Sequence, residues 1–347
     1  MPRPTKIDVV DRKADAEPAQ TPLAAQMTRR EALVQLLRAG GIAAGAAGAG
    51  IWLTERSSRP VPARAEEARR DHRVAREAEL PQMTVVQNGE PAALVRQALE
   101  NLGGIRRFVS RQEIVVLKPN IAWDRTPEQA ANTNPEMVAE VVRQCWQAGA
   151  KRVIVTDVSC NDPRRCFVRS GIQEAARAEG AEVIFPDPAL FREVDLGGVV
   201  LKNWPVFTPF LEADKIFNLP IAKQHSLTGA TLGMKNWYGI LGGERNRLHQ
   251  QIHQSLADLA SFMLPTVTLL DCYRVLLRNG PTGGDLEDVA LKKTMVAGTD
   301  PVAIDAYVAK AYWDLDPDRI PYLEMAAERG LGIVDFEKLA VKVSKLG

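Results

Sequence analysis

Short runs of branched apolar residues, each followed by a longer amphipathic stretch, recur along this chain and constrain its fold more than any other feature. "EIVVLKPN" at 113–120 reads as a strand running into a Pro-Asn turn, with "KRVIVTD" at 151–157 and "AEVIFPD" at 181–187 as further strands. Between them, "NPEMVAEVVRQCWQAGA" has Pro135 at a helix start and apolar residues at Met137, Val138, Val141, Val142 and Cys145, while "IQEAARAEG" stops at Gly180. Strands that are apolar throughout and alternate with amphipathic helices imply parallel pairing with both sheet faces covered. The expected fold is therefore α/β, a mostly parallel sheet or sheets flanked by helices. Two α/β lobes with a cleft between them are one form it could take.

The N-terminal region reads differently. Arg29 and Arg30 precede an uncharged, small-residue run, Ala39 to Thr54, shorter than the ~20 apolar residues of a spanning helix. Ala63-Arg64-Ala65 fits a small-residue cleavage site. Residues 1–65 are thus expected to be a twin-arginine signal peptide that engages the Tat translocase during export to the periplasm, with no stable membrane anchor. That route carries folded chains, commonly with a cofactor already bound, so a metal ion or an organic cofactor enters the expectation without being identified. Residues 66–80, "EEARRDHRVAREAEL", are a charged linker or helix, and 81–347 form the α/β domain. A formal net charge of +1 offers no electrostatic case for nucleic acid or anionic lipid. The four cysteines include no C-x-x-C pair, so an iron–sulfur cluster has no sequence support; a Cys160–Cys166 disulfide could form in an oxidising compartment, but most of the four read as ordinary buried thiols.

In open α/β sheets ligands bind beyond the carboxyl ends of the strands. The polar groups expected there are Lys118 and Asn120 after the first run, and Asp157 after the second. Asn218, Lys223 and His225 follow "KIF", Asp271 follows "TVTLL", and Asp300 follows "MVAGT". Asp300-Pro301 also has the form of a helix start.

The segments "VVLKPNI", "NTNPEMVAEVVRQCWQAGAKRVIVTD", "ADKIFNLPIAKQHSLTGATLGMKNWYG", "NGPTGG" and "VAGTDPVAIDAY", in this order, resemble the family catalogued as domain of unknown function 362, from about Val85 to Tyr312. Many members of that family carry a ferredoxin-like module with four-iron four-sulfur clusters. This chain lacks the cysteines of that module, so the resemblance implies no electron-transfer role. More locally, His225-x-x-x-Gly229-x-x-x-Gly233-x-Lys235 resembles the segment of nickel-pincer lactate racemases that holds a catalytic histidine and the lysine bearing a tethered cofactor. "DRTP" at 124–127 is similar to the early substrate-binding segment of that family. The histidine which that family places after the strand matching Val153 to Thr156 is absent here, where Asp157 and Ser159 stand, so two-base racemisation is not implied.

The residues carry a physical reading of their own. Gly229 and Gly233 remove side chains from one side of a helix or turn and let a cofactor or another backbone approach. Lys235, with Asn236 beside it, could project into that opening as a nucleophile or covalent tether, since a desolvated lysine loses its proton readily. His225 is the expected proton carrier and Lys223 its basic neighbour. Close helix packing by the glycines, with Lys235 capping carbonyls, is the alternative. His249 and His253, four apart, would share one helix face as a metal pair, with Asp258, Asp271 or His225 as third ligand. These readings place His225, Lys235, Lys223 and Asp157 as catalytic candidates. Lys118, Asn120, Asn236, Gly229, Gly233, Asp271 and Asp300 become candidates for holding a small anionic substrate or a cofactor. Three functional classes follow: a cofactor- or metal-dependent isomerase or oxidoreductase acting on a small anion, a non-catalytic small-anion or metal binding protein, and a maturation factor for an exported redox enzyme.

Overall fold

The computed structural model describes residues 71–347, and the expected signal peptide at 1–65 lies outside the described residues. In chain order the elements are β1 (Met83–Gln87), α1 (Pro91–Asn101), β2 (Ile114–Pro119), α2 (Pro135–Ala148), β3 (Arg152–Val155), α3 (Pro163–Arg169), α4 (Ile172–Ala178) and β4 (Glu182–Val183). A hairpin of β5 (Phe191–Asp195) and β6 (Asn203–Phe207) follows, then α5 (Pro209–Glu212), β7 (Lys215–Leu219), β8 (Ile221–His225), β9 (Gly229–Thr231) and α6 (Gly233–Asn236). The chain ends with α7 (Ile252–Phe262), β10 (Val267–Leu276), β11 (Val289–Gly298), α8 (Pro301–Trp313), α9 (Pro321–Glu328) and β12 (Val341–Lys345).

Ten strands form one mixed sheet in the order β12-β1-β11-β10-β7-β2-β3-β4, with β8 paired to β10 and β9. The neighbours β7/β2, β2/β3, β3/β4, β10/β7, β10/β8 and β1/β12 run parallel; β11 is antiparallel to both its partners, and β9 is antiparallel to β8. The sheet is thus mostly parallel and the fold is α/β. The described residues hold together as one unit. Alternation along the strands explains the layers. Val115 and Leu117 of β2, with Val153 and Val155 of β3, pack beneath α1, α2 and α4, while Val116, Ile154 and Ile216 turn to the opposite core formed with α7, α8 and α9. Burial on both faces is why these strands are apolar at every position.

The local signals act as their chemistry requires. Pro135 opens α2 behind Asn134, whose side chain accepts the Glu136 amide, and Gly149 closes it with φ 92°. The expected strand at 181–187 is reduced to Glu182–Val183, at the sheet edge, with Pro186 ending its capacity to pair. The charged segment forms no helix or strand over Asp71–Leu80, and His72, buried there, sits 3.1 Å from the Asp214 carbonyl oxygen.

Residues 221–239 combine a hairpin with a helical turn and so position the site: Pro220 interrupts β7, and β8 resumes alongside β10, where the register shifts between Asp271 and Leu276. The β8–β9 hairpin then delivers the single turn α6. This carries Lys223, His225 and Lys235 past the ends of β2 and β3.

Candidate anion-binding site

Beyond the carboxyl ends of β2, β3 and β7 lies a cleft of about 330 Å³. Of the residues expected at the site, Lys118, Asn120, Asp157, Lys223, His225, Lys235 and Asn236 all line it, joined by Trp123, Cys160, Thr231, Tyr238, Gly239, Arg245 and His249.

Its floor is a continuous polar network. Lys118 Nζ donates to Asp157 Oδ1 (2.6 Å), Asn236 Oδ1 (3.0 Å) and the Pro119 carbonyl (3.0 Å), which fills all three of its donors. Asp157 Oδ2 accepts the Ile121 amide at 2.6 Å. Asn236 donates to the Lys118 carbonyl and to Asn218 Oδ1, and Asn120 donates to Asn236 Oδ1. Lys223 Nζ donates to Asn120 Oδ1 (2.9 Å) and the Ala131 carbonyl (2.6 Å). The backbone must come close for this to assemble. A methyl group on Gly239 would fall on the Asp157 carboxylate and lie 2.6 Å from Lys118 Nζ.

Higher in the cleft the donors are not filled. Lys235 is 8% exposed, its Nζ makes no hydrogen bond or ion pair among the described residues, and its contact is the Tyr238 ring, 4.6 Å from the centroid. Thr231, 5% exposed, has a buried hydroxyl without a partner. His225 Nδ1 accepts the Leu227 amide at 3.2 Å, so the neutral ring carries its proton on Nε2. The His249 ring lies nearly parallel to that of His225, with centroids 6.3 Å apart. Arg245 spans the loop after β3, donating to the Val158 (2.7 Å) and Ser159 (2.6 Å) carbonyls.

Four basic side chains therefore face one carboxylate, and that carboxylate is already paired with Lys118. Burial pushes Lys118 below the ordinary lysine range, against the pull of Asp157. Burial, reinforced by Lys235 and Lys118, brings Lys223 down to about 7. Lys235 falls to about 8, from burial and then from Arg245. His225 falls to about 3, again from burial first, with Lys235, His249 and Lys223 adding to it. An incoming anion would relieve every one of the charge repulsions.

Several sequence expectations are corrected. Gly229 and Gly233 do not open a path to a cofactor. Gly229, at φ +72°, forms the hairpin corner with Leu315 against its Cα, and Gly233 packs where a methyl would meet Asp305 Oδ1 at 2.9 Å. Asp271 is buried in the sheet, accepting the Asn134 and Tyr273 amides at 2.8 Å, with its carboxyl raised to about 6 by burial. Asp300 is a helix cap, accepting the Ala303 amide at the start of α8 and the Ile333 amide. His249 and His253 do not share a face: Arg245–Gln251 is a 3-10 helix and α7 begins at Ile252, so His249 turns to the cleft while His253 stacks on Tyr322. Asp258, a candidate third ligand, is held by Arg329 and the Val200 and Leu201 amides. No three His, Cys, Asp or Glu side chains come together as a metal site among the described residues. Cys160 and Cys166 are free thiols.

Sequence reasoning passed over Thr231, Arg245 and Asp305. The Asp305 carboxylate, fully buried, accepts the Gly233 (2.8 Å) and Met234 (3.0 Å) amides and so fixes the turn that presents Lys235. Its position on α8, far from α6 in sequence, gave no local signal.

Residues 115–310 match the pattern of the family described as Domain of unknown function (DUF362), a span that includes every residue lining the cleft. The chain belongs to that family. A curated relative, the thylakoid-associated protein sll1697 of Synechocystis sp., is 29% identical over 259 residues, covering 71% of this chain and 76% of its own length. Among solved structures, the lactate racemase apoprotein of Thermoanaerobacterium thermosaccharolyticum aligns over 63% of this chain at 14% identity and a TM-score of 0.36, and the chain spans 55% of its length.

Proposed function

We propose that this family member is an enzyme that binds a small oxyanion, such as a carboxylate, in the cationic cleft and moves a proton on it. The observation that carries the reading is Lys235, a mostly buried lysine whose Nζ has no hydrogen bond or ion pair among the described residues, together with the buried, unpaired Thr231 hydroxyl, in a cleft whose only carboxylate is paired with Lys118. A buried polar group left unpaired costs about 1–3 kcal/mol, more for a charge, so such groups mark where a ligand completes the structure. Lys235 would neutralise the anion and Thr231 would donate to it. His225 would donate a hydrogen bond from Nε2 as a neutral imidazole, while Lys223, titrating at about 7, would exchange a proton near neutrality.

Two measurements test this. Calorimetric titration with small carboxylates and phosphate should find an anion that wild type binds and Lys235→Met does not. In heavy water, NMR should show deuterium entering the bound carboxylate next to the carboxyl group; binding without exchange would favour the non-catalytic carrier. The Lys235 amine also has the chemistry to bear a tethered organic group, which intact mass of the purified chain would reveal as an addition. Periplasmic location through the twin-arginine route belongs to the same proposal. Replacing Arg29 and Arg30 by lysine should leave precursor in the cytoplasm, and unchanged accumulation of mature chain in the periplasm would remove that part.

A further inference from the structure

Cys160 is the exposed cysteine of the four; Cys145, Cys166 and Cys272 are buried. It follows the end of β3 and lines the same cleft as Lys223, Lys235 and Arg245. Its backbone is anchored, with the Cys160 amide donating to the Ala122 carbonyl at 2.9 Å and the Asn161 amide to the same oxygen at 3.2 Å. Lys235, 8% exposed and with no partner for its Nζ among the described residues, and Thr231, whose hydroxyl is buried and unpaired, are set in the same cleft. A thiolate here would therefore stand among cations, the environment that makes cysteines reactive.

We propose that Cys160 is a modification site selective for acidic disulfides, whose anionic arm seats on Lys235 while the thiolate attacks the adjacent sulfur. The proposal rests on the anion-binding reading of the cleft. In the exchange the Cys160 sulfur bonds to one sulfur of R–S–S–R, the original S–S bond breaks, and the other half leaves as RS⁻. The thiol proton passes to solvent, and the disulfide itself is the oxidant. The attached anionic arm then fills the cleft, so modification and anion binding exclude one another. The site would make ligand binding sensitive to thiol redox state.

The experiment uses the full chain and two chromogenic disulfides, the dianionic dithiobis(nitrobenzoate) and the neutral dithiodipyridine. Each rate is divided by that of a small free thiol under the same conditions. One thiol per folded chain should react, peptide mapping should place the label on Cys160, and Cys160→Ser should abolish it. The dianionic reagent should be favoured at least about tenfold, the low end of electrostatic focusing in a charged cleft. Lys235→Met and high salt should both remove that preference. Labelling at another cysteine, or a preference equal to that of the free thiol, would overturn the proposal. Titration of wild type with carboxylates and phosphate separates the two readings. If no anion binds, the cleft reading itself falls; if one binds while the disulfide preference is absent, only the Cys160 proposal falls.

Discussion

Replacing Lys235 by methionine should make the empty protein more stable while abolishing its ability to bind an anion. In the unfolded chain the ammonium is hydrated and titrates near 10.5; in the folded protein it titrates at about 8, chiefly because it is buried. At ~1.4 kcal/mol per pH unit, that difference opposes folding by about 3 kcal/mol at neutral pH. The sign follows from proton linkage. Between about 8 and 10.5 the unfolded chain holds the proton more tightly than the folded one, so wild-type stability rises with pH across that window, and the penalty is complete below about 8. Methionine keeps most of the side-chain volume and carries no charge to desolvate. Without ligand at pH 7 the variant should therefore melt several degrees above wild type, and the gap should close as pH approaches 10.5. With an anion at a hundred times its Kd, wild type should gain ~2.7 kcal/mol and the variant nothing. Thermal melts at several pH values, with and without the anion found by calorimetry, read all of this. If the variant melts below wild type at pH 7 without ligand, Lys235 is a structural capping residue and the anion site is refuted.

Other expectations follow from the floor of the cleft. Asp157→Asn should destabilise the protein by about 3–5 kcal/mol, because Lys118 keeps a buried charge without its counterion; the midpoint of urea unfolding measures this, and an unchanged midpoint would show that Lys118 is neutral or hydrated. Gly239→Ala should be at least as damaging, since the added methyl displaces the Lys118–Asp157 pair; soluble yield and circular dichroism decide, and wild-type melting would contradict the close approach. Proton exchange on the bound anion should rise as pH passes through about 7, where Lys223 frees its amine, and Lys223→Arg should flatten the profile because arginine stays protonated.

Which parts of this were legible in the sequence follows from the range of the forces involved. The β2–α2–β3 unit was legible because its apolar runs, Pro135 and Gly149 act within a few residues, and the strand-end rule then located Lys118, Asn120, Asp157 and Lys223 without knowledge of topology. The β8–β9 hairpin was not, because "IAKQHSLTGATLG" has too few apolar alternations to separate strand from helix, and pairing with β10 decides the matter. The same limit explains the misreading of Gly229 and Gly233. Their neighbours, Leu315 and Asp305, arrive from α8 and the loop behind it. Asp300 sits just past the end of β11 as expected, whereas β10 continues through Asp271, and backbone amides from Ala303 and Asn134 claim their carboxylates.

The three lysines of the cleft, compared with one another, argue that its upper part is built for a guest. Lys118 has three partners, one of them a carboxylate, and is what a structural buried lysine requires. Lys223 has two neutral partners. Lys235 has none but an aromatic face, although a leucine or methionine would fill its place without the desolvation. Yet the fold commits a second buried charge to holding it there, since Asp305 gives both carboxylate oxygens to the amides that start the turn bearing Lys235, and its own carboxyl is driven up to about 7 by burial. Two destabilising groups that act together to aim one unsatisfied amine into a cationic cleft make no sense as packing. They are consistent if the state in which Lys235 is satisfied is the one with an anion bound, because that ligand supplies the charge and acceptors that the described residues withhold.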